Sequence, residues 1–247
     1  MSILKKLAGQ TAIYGVSSIV ARFLNYLLVP LHTFVFAPER FGVITEMYAY
    51  VAFLIILLTY GMETTFFRFS SKEGQDSKTI FSTILSSLAG STSLFILIAL
   101  VFAQPIAEWL LYPDNKEYVV WFAIIVGLDA VSSMPLAKLR SENKAKTFAG
   151  VNIITVLVNI SLNAFFLWYC LPLVLEGGSN CLTDTFYDPS TGVGYVFIAN
   201  LIASIVKFLL LGPTMLQGLV KPKISLLKPM LIYSLPLLIA GLAGMMN

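Results

Sequence analysis

The stretch Gln10–Val35, QTAIYGVSSIVARFLNYLLVPLHTFV, decides how the rest of this chain is read. It exceeds the roughly 20 apolar residues that a helix needs to cross a bilayer, and it is too long and unbroken for a barrel strand. Within it Thr11, Gly15, Ser18, Arg22 and Asn25 recur at alternating steps of four and three, which puts them on one stripe of a helix. A charge near mid-membrane costs at least ~2.5 kcal/mol, so a chain keeps one mainly where it faces a cavity, a partner or a substrate. The stripe therefore predicts a spanning helix with one wet or partnered side.

The whole composition agrees. Of 247 residues, 57% are hydrophobic and only 12% charged, against about 25% charged in soluble domains. The mean hydropathy is +0.84. Six further apolar stretches follow, at Gly42–Phe66, Thr79–Ala103, Tyr118–Leu136, Gly150–Leu171, Tyr195–Leu216 and from Pro229 to the end. Short polar connectors separate them, the longest being Glu176–Gly194. The expected fold class is an all-α integral membrane protein, a polytopic helical bundle. Lys5 and Lys6 resemble the basic start of a signal peptide, but the stretch after them is overlong and holds Arg22, so it reads as a first span. Two cysteines, Cys170 and Cys181, make neither a disulfide framework nor a metal site, although a bond between them is open. No nucleophile with a base partner, metal-ligand spacing or Gly-rich phosphate loop occurs, and no cofactor is expected.

Basic residues fix an expected orientation. Lys5 and Lys6, then Arg68, Lys72 and Lys78, then Lys138, Arg140, Lys144 and Lys146, then Lys221, Lys223 and Lys228 occupy alternate connectors on one side. The other side carries only Arg40 and Lys116. Loops rich in Lys and Arg stay cytoplasmic, so the N-terminus is expected inside, with multi-pass topology. These loops are topological signals first, and nucleic-acid binding has no support.

Arg22, Asp129 and Lys207 each lie near the middle of a span. Two cations and one anion leave a positive surplus that suits an anionic head group such as phosphate or pyrophosphate. A structural pair of Asp129 with Arg22 or Lys207 is the alternative, and Asp129 could also serve in ion coupling. Asn152, Thr155, Asn159 and Asn163 form a stripe in the fifth span, and Asn200, Ser204 and Lys207 one in the sixth. Candidate substrate-binding residues are thus Arg22, Asn25, Asn159, Asn200 and Lys207. Glu63 and Arg68, which close the second span, read as an interfacial pair or gate. His32, the one histidine, reads as an interfacial residue at the far end of the first span. Pro30, Pro135 and Pro236 are candidate kinks.

Several runs carry a family resemblance. Gly9-Gln10-Thr11 through Arg22-Phe23-Leu24-Asn25-Tyr26-Leu27-Leu28-Val29-Pro30-Leu31 resembles the first helix of Wzx-type oligosaccharide flippases of the MATE-like (MOP) superfamily. Ala37-Pro38-Glu39-Arg40-Phe41-Gly42 is similar to their short external turn, with Phe41 where Tyr is usual. Gly61-Met62-Glu63 with Arg68-Phe69 resembles the end of their second helix, and Pro236 the proline of their seventh. The resemblance implies an N-terminal six-helix lobe over residues 1–218, a linker over 219–228 and the first helix of a second lobe over 229–247. The chain would then be the front part of a longer protein.

The same resemblance implies a function. Such proteins carry undecaprenyl-pyrophosphate-linked oligosaccharide across the bacterial inner membrane for O-antigen or capsule synthesis, by alternating access of two lobes. Arg22 is the position carried over as a cation holding the pyrophosphate; sodium or proton coupling is suggested by drug-exporting relatives. The expected partners are the membrane, an anionic lipid-linked oligosaccharide and other polysaccharide-assembly membrane proteins. A lipid II flippase, a drug/cation antiporter of the same superfamily and a membrane-embedded polysaccharide enzyme are the alternatives. The antiporter should favour acidic cavities, and the enzyme a large external loop or clustered acid and base.

Overall fold

The computed structural model describes residues 3–72 and 74–245, with side chains from Tyr14 onward. The side chains of Lys5, Lys6, Gln10 and Thr11 lie outside the described residues, as does Asn247. Among the described residues seven passages are long and apolar enough to cross a membrane, Tyr14–Val35, Pro38–Ser70, Ser77–Val101, Lys116–Ser141, Ala145–Leu175, Gly194–Gly218 and Ile224–Met245. Each overlaps one of the stretches read from hydropathy. Among the described residues there is no strand. The protein is an all-α polytopic membrane protein.

The first passage is α1 (Ile3–Tyr26) and α2 (Leu28–Val35), the second α3 (Pro38–Thr59) and α4 (Met62–Ser70), the third α5 (Ser77–Val101). Short α6 (Ala103–Trp109) leads to α7 (Lys116–Ser141), the fourth. The fifth is α8 (Ala145–Ala164), a π-helical turn at Phe165–Cys170, and α9 (Leu171–Leu175). Then come α10 (Cys181–Phe186) in the long connector, a 3-10 turn at Pro189–Thr191, α11 (Gly194–Gly218) and α12 (Ile224–Met245).

Local chemistry explains the breaks. Pro30 has no N–H to offer Tyr26, and the helix interrupts at Leu27, three residues earlier. Ala37 is extended, as a residue before proline must be, and Pro38 opens α3 at its first turn. This makes the turn between the first two spans tight. Between α3 and α4, Tyr60 and Gly61 have φ of 32° and 71°. Helix α12 also packs closely on Gly61, since a Cβ there would meet Leu237 Cβ at 2.8 Å and the Ser234 carbonyl at 3.1 Å. The kink in the second span and the seat of α12 are thus one feature. By contrast α7 runs unbroken through Pro135, and α12 through Pro229 and Pro236. Those prolines interrupt nothing.

Helix α5 begins at Asp76, whose carboxylate accepts from the Lys78 and Thr79 amides at 3.2 and 3.1 Å and from the Thr79 hydroxyl at 2.6 Å. The Thr79 hydroxyl first, then the Lys78 amide, hold its carboxyl below the usual aspartate range. A carboxyl depressed in the folded state stabilises it above the unfolded-state value and loses that contribution as pH falls through the folded one. The amides of Lys78 and Thr79 should therefore lose protection, relative to their intrinsic exchange rates at the same pH, below about pH 4. Asp76→Ala should exchange fast at every pH. Equal exchange in the two proteins at neutral pH would remove this cap from the account.

Helix α7 is the centre of the bundle, with α3, α5 and α11 against it, α8 beside α11, and α1 on the outer side of α8. Helix α12 rests on α3, α4 and α5. Two apolar clusters fill the interior. One, toward the side rich in basic residues, centres on Phe66, Phe81, Leu88, Met134 and Leu211; the other on Met47, Phe122, Ile125, Phe166 and Phe197. Asp129 and Lys207 fall between them.

Candidate functional site

Polar residues of four spans converge on one cavity of about 530 Å3, on the side away from the basic loops. Its polar lining is Asn25 of α1, His32 of α2, Thr45 and Tyr48 of α3, Asn159 of α8 and Asn200 of α11; Leu28, Phe41 and Ile44 supply apolar wall. Helix α1 lies on α8 and α8 on α11, which is what brings Asn25, Asn159 and Asn200 together.

A hydrogen-bond chain ties the lining to the bundle. Buried Asn163 donates from its amide to the Asn159 carbonyl at 2.9 Å and to Asn159 Oδ1 at 3.1 Å. Its oxygen therefore faces His32, 2.9 Å from Nε2, so that ring nitrogen must carry the proton. Asn159 Nδ2 reaches Asn25 Oδ1 at 3.5 Å. Across the cavity Asn200 donates to the Tyr48 hydroxyl at 2.9 Å, and the Tyr48 ring stands edge-on to Phe122 and Phe197. A buried amide or imidazole left unpaired costs about 1–3 kcal/mol. Asn163→Ala leaves the buried His32 without its partner, so it should lower stability by about that much in a detergent unfolding assay. An unchanged unfolding midpoint would count against this chain as a structural tie.

The ionic pattern differs from the expected cationic hollow. Lys207 Nζ lies 2.6 Å from Asp129 Oδ1, both side chains largely covered, at 16% and 20% exposure. Of the alternatives for Asp129, pairing with Lys207 is the geometry found. The structure places Lys207, a substrate-binding candidate, against Asp129 of α7. On α11, Asn200 turns to Tyr48, Ser204 is buried and Lys207 meets Asp129, so this stripe joins helices along most of its length. The cavity lining carries amides, a phenol and an imidazole rather than a carboxylate or an ammonium.

Arg22 stays exposed on α1, about one turn from Asn25, and has no ion pair among the described residues. The expected pair of Glu63 with Arg68 is not formed. Glu63 Oε1 meets Arg140 Nη2 at 2.6 Å, which joins α4 to the end of α7, while the Arg68 guanidinium lies over the Tyr233 ring. The two lie five residues apart, on different faces of α4, and the nearer partners come from other spans. Cys170 is buried and Cys181 exposed, and both are free thiols.

His32, Tyr48 and Thr45 were not singled out beforehand as site residues. His32 continues the first-span stripe seven residues beyond Asn25, a signal hidden by Pro30 between them. Tyr48 and Thr45 lie on a span that also carries Glu46, and no polar stripe like those of the first, fifth and sixth spans marks them.

Bundle and cavity define the class: a polytopic α-helical membrane protein with a polar chamber between its spans. Within that class the chain belongs to the polysaccharide biosynthesis protein family, whose model matches residues 7–247. Among curated proteins and among solved structures, nothing matches it.

Proposed function

We propose that this chain carries a lipid-linked oligosaccharide across a membrane, the substrate being held through its phosphates by Arg22 and through its sugars by the amides of the neighbouring cavity. The observation that carries this reading is the placement of an exposed guanidinium, outside every ion pair among the described residues, about one helical turn from an amide-lined chamber, in a member of a polysaccharide biosynthesis family. Guanidinium recognises phosphate oxygens through its planar set of N–H groups. Amide and hydroxyl side chains both donate and accept, as sugar hydroxyls require. The sorting of basic residues supports a cytoplasmic N-terminus in a bacterial inner membrane. The resemblance to Wzx-type flippases supports undecaprenyl pyrophosphate as the carrier and residues 1–218 as one lobe of two. A drug/cation antiporter is less well supported, because the chamber lining offers no carboxylate to a cation. The test is surface polysaccharide in cells whose intact protein carries Arg22→Ala.

A further inference from the structure

A second cleft, of about 410 Å3, opens between the end of the second span and the last helix, at the side rich in basic residues. Transport as proposed above makes no use of it. Arg68, Phe69 and Lys72 form one wall; Tyr233, Pro236 and Leu237 of α12 are among those forming the other.

Its two cations are held by ring faces. The Arg68 guanidinium lies 4.2 Å from the centre of the Tyr233 ring, and the Lys72 ammonium 4.5 Å from that of Phe69. The two rings meet each other at 6.2 Å. Arg68, Tyr233, Phe69 and Lys72 thus make one continuous stack that fixes both charges on the same cleft. A ring face attracts a cation but leaves N–H donors free for an anion. Among the described residues no carboxylate lines the cleft, and Glu63, the acidic residue of α4, is taken by Arg140. The rest of the wall is apolar: charged at one edge, greasy at the other.

We propose that this cleft binds an anionic phospholipid of the adjacent leaflet, its phosphate on Arg68 and Lys72 and its acyl chain along Pro236 and Leu237. Charge complementarity argues for the phosphate, and the apolar wall argues for a lipid rather than a free ion. Cations at a membrane boundary are where anionic headgroups gather. The lipid would fasten α12 to α4.

The test is binding of dioctanoyl phosphatidylglycerol to the purified full chain in detergent, read by native mass spectrometry. Arg68→Gln with Lys72→Gln should weaken binding by about tenfold or more. Tyr233→Phe, which keeps the ring, should bind as the unmodified protein does, and Tyr233→Leu should bind more weakly. Circular dichroism establishes that each variant is folded. Phosphatidylcholine of equal chain length and inorganic phosphate should bind weakly to all of them. Equal phosphatidylglycerol binding with and without the two cations would overturn the proposal. So would inorganic phosphate competing as well as the lipid, or farnesyl pyrophosphate binding far more tightly through the same two residues. The phosphatidylglycerol results leave Arg22 untouched and surface polysaccharide in Arg22→Ala cells leaves this cleft untouched, so the two readings fail separately; only tight farnesyl pyrophosphate binding here would count against both.

Discussion

Lys207→Ala, made alone, should lower the stability of the folded chain by about 3–5 kcal/mol. The substitution removes the ammonium 2.6 Å from Asp129 and leaves a carboxylate between two apolar clusters. Breaking a buried pair by removing one partner costs this much because the survivor keeps its charge and loses its counter-charge. Asp129→Ala should do the same in mirror image, stranding a lysine at mid-membrane. Removing both together should restore much of the loss, since no uncompensated charge is then left. Thermal unfolding of the four proteins in detergent gives the coupling directly. If the two single effects simply add in the double variant, the pair is not the tie between α7 and α11 described here.

Arg22→Ala should have the opposite profile: normal folded protein and little or no surface polysaccharide. Nothing described in the bundle depends on this guanidinium, which is exposed and outside every ion pair found. Loss of a charge-assisted contact to phosphate is worth about 1.5–3 kcal/mol, or roughly a tenfold to hundredfold fall in transport. Arg22→Lys keeps the charge but loses the planar fork, so it should export at an intermediate level. Export at full level by the alanine variant, with normal protein abundance, would exclude Arg22 as a required phosphate contact. A fall in abundance matching the fall in export would make its role structural.

The two residues illustrate what could be read before the fold was seen. Arg22 and Lys207 look alike in sequence, each a cation midway along a polar stripe of an apolar span. The structure separates them, because Lys207 finds Asp129 across the bundle and Arg22 has no ion pair among the described residues. The asparagine stripes were legible at the level of faces. Asn25, Asn159 and Asn200 do reach one chamber, and Asn163 serves the same chamber from behind through His32. Glu63 and Arg68 show the opposite failure. Proximity along the chain suggested a pair, yet each has a closer partner on another helix.

Hydropathy, length and the sorting of Lys and Arg were enough for seven helical spans, because a bilayer obliges a chain to satisfy its backbone within each crossing and that demand is local. Pro30 marked the break at Leu27 for the same reason, acting through the backbone of its own neighbours, whereas α7 and α12 continue through Pro135 and Pro236 and the break at Gly61 appeared only in the structure. Which side chains meet was decided only in three dimensions. Partner choice for a charge or an amide is settled by which helix lies alongside, and helices that stand side by side here, such as α1 and α8 or α4 and α12, lie far apart in the chain.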